Sequence, residues 1–149
     1  MSIPSLDVAL VAAVAAENAA VYGYGLAGAR LATPHDKAAA RAAYDVHREQ
    51  VDLTTQWASD LHLGATPSPP APVYVLPTPV TDAESARAAL AAIEESTAAA
   101  YADVVAAVLP AGGELQRDAA LWLQSAAVRE AQWRAASVPF PGLVGRIPL

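Results

Sequence analysis

Residues 65–80 read "ATPSPPAPVYVLPTPV", and six of these sixteen positions are proline. A proline gives no N–H to a helix or to a central strand and holds φ near −65°, so the stretch can only run extended or as polyproline. Elsewhere prolines fall at positions 4, 34 and 110 and in the closing "VPFPGLVGRIPL". Between these breaks lie long alanine-rich segments. Alanine makes up about a quarter of the chain. It is the best helix former and the smallest apolar side chain above glycine, so the composition favours closely packed helices over a sheet, which would want Val, Ile, Thr and aromatics.

Punctuation sets four helices, at about 4–31, 34–63, 82–109 and 114–137. Ser5 or Asp7 opens the first. Thr33, Pro34 and Asp36 supply a hydroxyl N-cap, a proline at N1 and an acid in the first turn of the second. Gly64 is a C′ stop. "TDAE" (Thr81–Glu84) reads as a capping box for the third. "AGG" makes a tight turn before the fourth. The crossover is residues 65–81, and an extended tail follows at 138–149.

The connections therefore run short, long, short. That is the pattern of an all-α four-helix bundle, up-down-down-up, with one long crossover between its second and third helices. The lengths close: helices of about 24 to 30 residues span roughly 36 to 45 Å at 1.5 Å per residue. A proline-rich segment of sixteen residues reaches about 50 Å at about 3.1 Å each. One domain, 1–149, is expected.

Helical periodicity then finds one polar intruder on each inner stripe. Glu17 lines up with Leu10, Val14, Val21 and Tyr24; His47 with Tyr44, Val51 and Ala58. Glu94 lines up with Leu90, Thr97, Tyr101 and Val108, and Arg129 with Leu115, Ala119, Trp122, Ala126 and Trp133. A lone buried charge is costly, so four at comparable depth predict one shared cluster: Glu17, Tyr44, His47, Glu94, Tyr101 and Arg129. The plainer alternative is that long side chains at the stripe edges reach back to water. A weak repeat accompanies the cluster. Glu17 precedes Tyr24 by seven, Glu94 precedes Tyr101 by seven, and "HRE" at 47–49 matches "VRE" at 128–130.

The segments "AAENAAVYGYGLAGARL", "HREQVDLT", "PPAPVYVLPTPVTDAESA" and "AAVREAQWRAAS", with the closing "PFPG", resemble the actinobacterial ferritin-like domains of unknown function, over nearly the whole chain. The resemblance implies a carboxylate from helices one and three and a Glu-x-x-His pair from helices two and four. By position Glu17 and Glu94 match the carboxylates and His47 one histidine. Tyr44 stands where the first glutamate would be, and Ser125 and Val128 occupy the second pair. A di-iron centre needs about six protein ligands, and three candidates remain. The expectation is a degenerate centre with no cofactor, in which Arg129 brings positive charge to Glu17 and Glu94 through charge-assisted hydrogen bonds. The protein would then be a non-catalytic structural or binding module. The alternative is a metal-binding oxidoreductase or iron-handling protein holding one iron or manganese on Glu17, His47 and Glu94.

Other features point elsewhere. There is no cysteine, which excludes disulfides and thiolate metal sites. A net charge of −6 argues against nucleic acid as a partner. The most apolar run, in the first helix, is broken by Glu17 and Asn18, and the start "MSIPSLD" lacks a basic region, so neither a membrane span nor a signal peptide is expected, and the location is cytoplasmic. His35 and His62 fall at helix ends. Trp57, Trp122 and Trp133 read as core anchors. No nucleophile elbow or phosphate loop is present. Alanine-rich helices leave a face that a homodimer would cover. The apolar 139–149 tail either packs back on the bundle or docks on a protein partner.

Overall fold

In the computed structural model, residues 3–62, 67–76, 78–108 and 113–135 are described. They form four helices, α1 (Leu6–Gly28), α2 (Pro34–Asp60), α3 (Ala83–Val108) and α4 (Glu114–Arg134), and among the described residues there is no strand. The protein is all-α.

The first three helices begin where side chains satisfy orphan backbone donors, whereas α4 begins after Gly113 (φ 107°) with no side-chain cap. Ser5 Oγ accepts from the Val8 amide and Thr33 Oγ1 from the Asp36 amide, with Pro34 in the first turn of α2. At α3 the cap differs by one residue from the expected box. Asp82, not Thr81, is the capping residue: its Oδ1 accepts from the Ser85 amide at 2.8 Å, and Ser85 Oγ accepts in return from the Asp82 amide at 3.0 Å. Ser85 thus does what Glu84 was expected to do, because a helix starting at Ala83 puts Ser85, not Glu84, at the third position.

The helices are shorter than the punctuation suggested, by the most in α1, which spans Leu6–Gly28 where about 4–31 was expected, and with the clearest local cause in α2. It ends at Asp60, before the expected glycine stop, because His62 turns left-handed (φ 51°) and its Nδ1 meets the Asp60 carbonyl at 2.8 Å. Gly64 lies outside the described residues, as do residues 65, 66 and 77 of the expected crossover and the whole 138–149 tail.

Two apolar clusters hold the helices together. The first joins Ala20, Tyr24 and Ala27 of α1, Ala40 and Ala43 of α2, Leu90 and Ile93 of α3, and Trp133 of α4. The second joins Ala9, Leu10 and Ala13 of α1 with Tyr101, Val104 and Val108 of α3 and Ala119 of α4, and Trp57 of α2 packs on it. Alanine supplies about half of the buried residues of these clusters, and its small side chain lets backbones approach closely. Gly23 is the extreme: a Cβ there would stand 2.2 Å from Ile93 Cδ1 and 3.3 Å from Leu76 Cδ2. Leu76 and Val80, from the non-helical stretch before α3, pack on the first cluster, and Tyr74 sets its ring 5.6 Å from that of Tyr22.

By length and composition α1 could cross a membrane. One side of it is engaged within the protein, with Ala9, Leu10, Ala13, Val14, Ala20 and Ala27 buried, while Val8 and Leu26 are exposed.

Candidate functional site

Between the two apolar clusters lies a layer of largely buried polar side chains. Glu17 from α1, His47 from α2 and Glu94 from α3 are each fully buried, and Arg129 of α4 reaches in with 15% of its side chain exposed. The His47 ring lies between the two carboxylates, with Nδ1 2.7 Å from Glu17 Oε2 and Nε2 3.1 Å from Glu94 Oε1. Tyr101 donates to Glu17 Oε1 at 2.5 Å and Tyr24 to Glu94 Oε1 at 2.5 Å. Arg129 Nε donates to that same Glu94 oxygen at 2.6 Å, and Trp133 Nε1 donates to the Tyr24 hydroxyl at 2.7 Å.

These contacts set the protonation states. Burial works to lower the His47 pKa, but the hydrogen bonds and charges of Glu17 and Glu94 outweigh it and hold the imidazole at about 9. At neutral pH it is therefore an imidazolium that donates from both nitrogens. Burial likewise acts to raise Glu94, yet His47 and Arg129 together bring its carboxyl below the ordinary range. Tyr24 and Tyr101 are pushed far above theirs by burial and by the carboxylates they face, so both stay neutral donors. Two carboxylate and two cationic side chains meet, and their formal charges cancel.

Of the residues expected in the cluster, Glu17, His47, Glu94, Tyr101 and Arg129 are joined by these hydrogen bonds. Tyr44 is not. It stands half-buried on the flank of α2, under the Arg48 guanidinium at 5.9 Å. The phenol that takes the expected place is Tyr24. Arg129 also differs from expectation: among the described residues it hydrogen-bonds Glu94 and not Glu17, and His47 is what joins the two carboxylates.

Four further buried polar residues lie outside the expected set: Asn18, Gln50, Thr54 and Glu130. Glu130 is fully buried, with Oε1 accepting from Arg134 Nε at 2.9 Å, and burial raises its pKa. Gln50 and Thr54 on α2 are buried below His47, and Thr54 Oγ1 returns its hydrogen bond to the Gln50 carbonyl. Trp122 stacks on Trp57 at 4.6 Å and meets the Tyr101 ring edge-on at 5.4 Å, closing the other side of the layer.

The donor set does not suit a metal ion. A histidine ligand must offer a bare nitrogen lone pair, and both His47 nitrogens are held to carboxylate oxygens. Glu94 Oε1 already accepts three donors, one of them a guanidinium. Among the described residues Glu94 Oε2 is the cluster carboxylate oxygen with no hydrogen-bond partner, one ligand atom where a di-iron centre draws on about six side chains. Among the same residues no group of three or more His, Asp or Glu side chains is disposed to hold a metal.

Residues 9–145 match the family described as a domain of unknown function (DUF4439), and the chain belongs to that family. Among solved structures it is similar to a conserved hypothetical protein, rv2844, from Mycobacterium tuberculosis. That match has 30% sequence identity and a TM-score of 0.78, and covers 90% of this chain and 98% of the other. No curated protein matches the chain.

Proposed function

We propose that the protein is a ferritin-like four-helix bundle, up-down-down-up with a proline-rich crossover, whose centre has become a self-neutralised hydrogen-bonded cluster, and that it acts as a non-catalytic structural or binding module. Two observations support the architecture. Along the paired residues of α1 and α3, numbers rise in one helix as they fall in the other: Glu17 with Tyr101, then Tyr24 with Glu94. The first apolar cluster also gathers the C-terminal parts of α1 and α4 with the N-terminal parts of α2 and α3.

The observation that carries the functional reading is the His47 ring, whose two nitrogens both face carboxylate oxygens. Arg129 adds fixed positive charge beside them, on the Glu94 carboxylate whose other oxygen is the one left without a partner. Cation entry would require His47 to give up one of the two protons it donates, with the carboxylate it faces there, and Arg129 to withdraw. Anaerobic titration of tag-free protein with iron(II), then manganese(II), tests this by calorimetry and elemental analysis. The expected outcome is no saturable heat and less than 0.1 equivalent retained after desalting, roughly the carry-over expected of unligated metal. Near-stoichiometric metal that is lost in His47→Ala overturns the reading in favour of a mononuclear site on Glu17, His47 and Glu94.

A further inference from the structure

A groove on the outer side of the α1–α2 pair lies apart from the hydrogen bonds just described. It encloses about 680 Å³, within the roughly 300–1,000 Å³ common for small-molecule sites. Helix α1 lines it with Gly25 and Gly28, and α2 lines it with Lys37, Arg41, Tyr44 and Arg48. Steps of four, three and four residues keep these last side chains on one face of α2.

The charge of this groove runs against that of the molecule. The chain has a net charge of −6 and nine Lys and Arg residues in all; three of the nine line the groove, and no acid does. Among the described residues no carboxylate forms a salt bridge with Lys37 or Arg48, and the Arg41–Asp45 pair is loose, at 4.0 Å, and mostly exposed. The aromatic side is equally distinct. Arg48 lies over the Tyr44 ring. The Tyr24 hydroxyl is engaged on its inner side by Glu94 and Trp133, so the groove meets that residue through its ring. Opposite, Gly25 keeps the wall low: a Cβ there would sit 3.9 Å from Tyr44 Cε2.

We propose that this groove binds a soluble aryl phosphate, an anion of phosphate type carried on a flat aromatic body. Lys37, Arg41 and Arg48 take the anion, for which guanidinium forks are well matched. The aromatic body takes the place of Arg48 over the Tyr44 ring as that guanidinium turns to the anion, beside the glycine-lined wall of α1. Because Tyr24 belongs both to the groove and to the buried layer, occupancy touches the bundle's centre through one ring, but binding does not depend on whether that centre holds metal.

Calorimetry on the full chain with phenyl phosphate tests the assignment, beside inorganic phosphate and phosphatidylglycerol vesicles. Phenyl phosphate is expected to bind saturably, at least tenfold more tightly than inorganic phosphate, and more weakly as salt rises. A Lys37→Gln, Arg48→Gln double variant should lose at least tenfold in affinity. Gly25→Leu, which fills the groove and leaves every charge in place, should lose as much, with helicity by circular dichroism equal to the parent for both. Absence of phenyl phosphate binding at millimolar concentration overturns the proposal. So does undiminished binding by Gly25→Leu, which would put the anion elsewhere on the basic face. Binding confined to the vesicles would overturn it too, giving the basic face to a lipid headgroup.

Discussion

At the scale of single residues, the cluster depends on which side chain reaches which carboxylate oxygen. Arg129 removes one charge from Glu94, and truncating one partner of a buried pair leaves the other uncompensated. Arg129→Met is therefore expected to lower unfolding free energy by about 3 kcal/mol, read from urea denaturation. Tyr24→Phe removes the donor to Glu94 and the acceptor for Trp133 together, and should cost about 1–3 kcal/mol. Because both act on Glu94 Oε1, the two losses should not add in a double-mutant cycle; strict additivity would mean that they do not share that oxygen. Most of this layer was legible because Glu17, His47 and Glu94 sit where helical phase demands an apolar residue. Tyr44 misled because it precedes His47 by three and so resembles a Glu-x-x-His position, whereas the neighbour that mattered lies on another helix. Glu130 was missed because its neighbour Arg129 was assigned to the inner stripe. In the structure the stripe runs through Ala126, Glu130 and Trp133, and Arg129 reaches in from its edge on a long side chain.

At the scale of helices, caps and close approaches set the ends and the spacing. Thr33→Ala deletes the hydroxyl that caps α2 and should cost about 1 kcal/mol in thermal or chemical unfolding. Gly23 permits the Ile93 side chain to lie against α1. Gly23→Leu gains helix propensity but must displace Ile93 and Leu76, and overpacking of this kind costs about 1–3 kcal/mol; a rise in Tm would contradict the packing described. Helix positions could be read from sequence because prolines and capping residues stop helices for local reasons. Their ends were less legible. The end of α2 depends on a left-handed histidine whose ring folds back onto the Asp60 carbonyl, a conformation that carries no compositional signal.

At the scale of the molecule, the repeated seven-residue spacing of Glu and Tyr becomes a reciprocal lock: each tyrosine serves the glutamate of the other helix. His47 ties α2 to both, and Arg129 ties in α4. Stability should follow the protonation of this layer. The His47 pKa is raised from 6.5 to about 9, so its contribution is complete below pH 6.5 and is lost as pH rises through 9. That loss is of the order of 3 kcal/mol. Glu94 is lowered, so its contribution is present above the ordinary carboxylate range and is lost as pH falls through its folded value. Unfolding free energy measured across pH should therefore fall at both ends, and His47→Gln should abolish most of the alkaline decline. The reading of four helices joined by one proline-rich segment came from the pattern of breaks, and the layer that unites them came from four residues that broke the apolar pattern. The basic groove was not legible, because Lys37, Arg41 and Arg48 read as an ordinary wet face until Gly25 and Gly28 of another helix are set opposite them.

The most direct test of the central claim is the protonation of His47, followed by nitrogen-15 NMR of the imidazole in tag-free protein from pH 6 to 10. Both ring nitrogens are expected to be protonated at pH 7, with a single titration near pH 9. A neutral ring at pH 7 with one bare nitrogen would contradict it and return that nitrogen to the list of metal ligands.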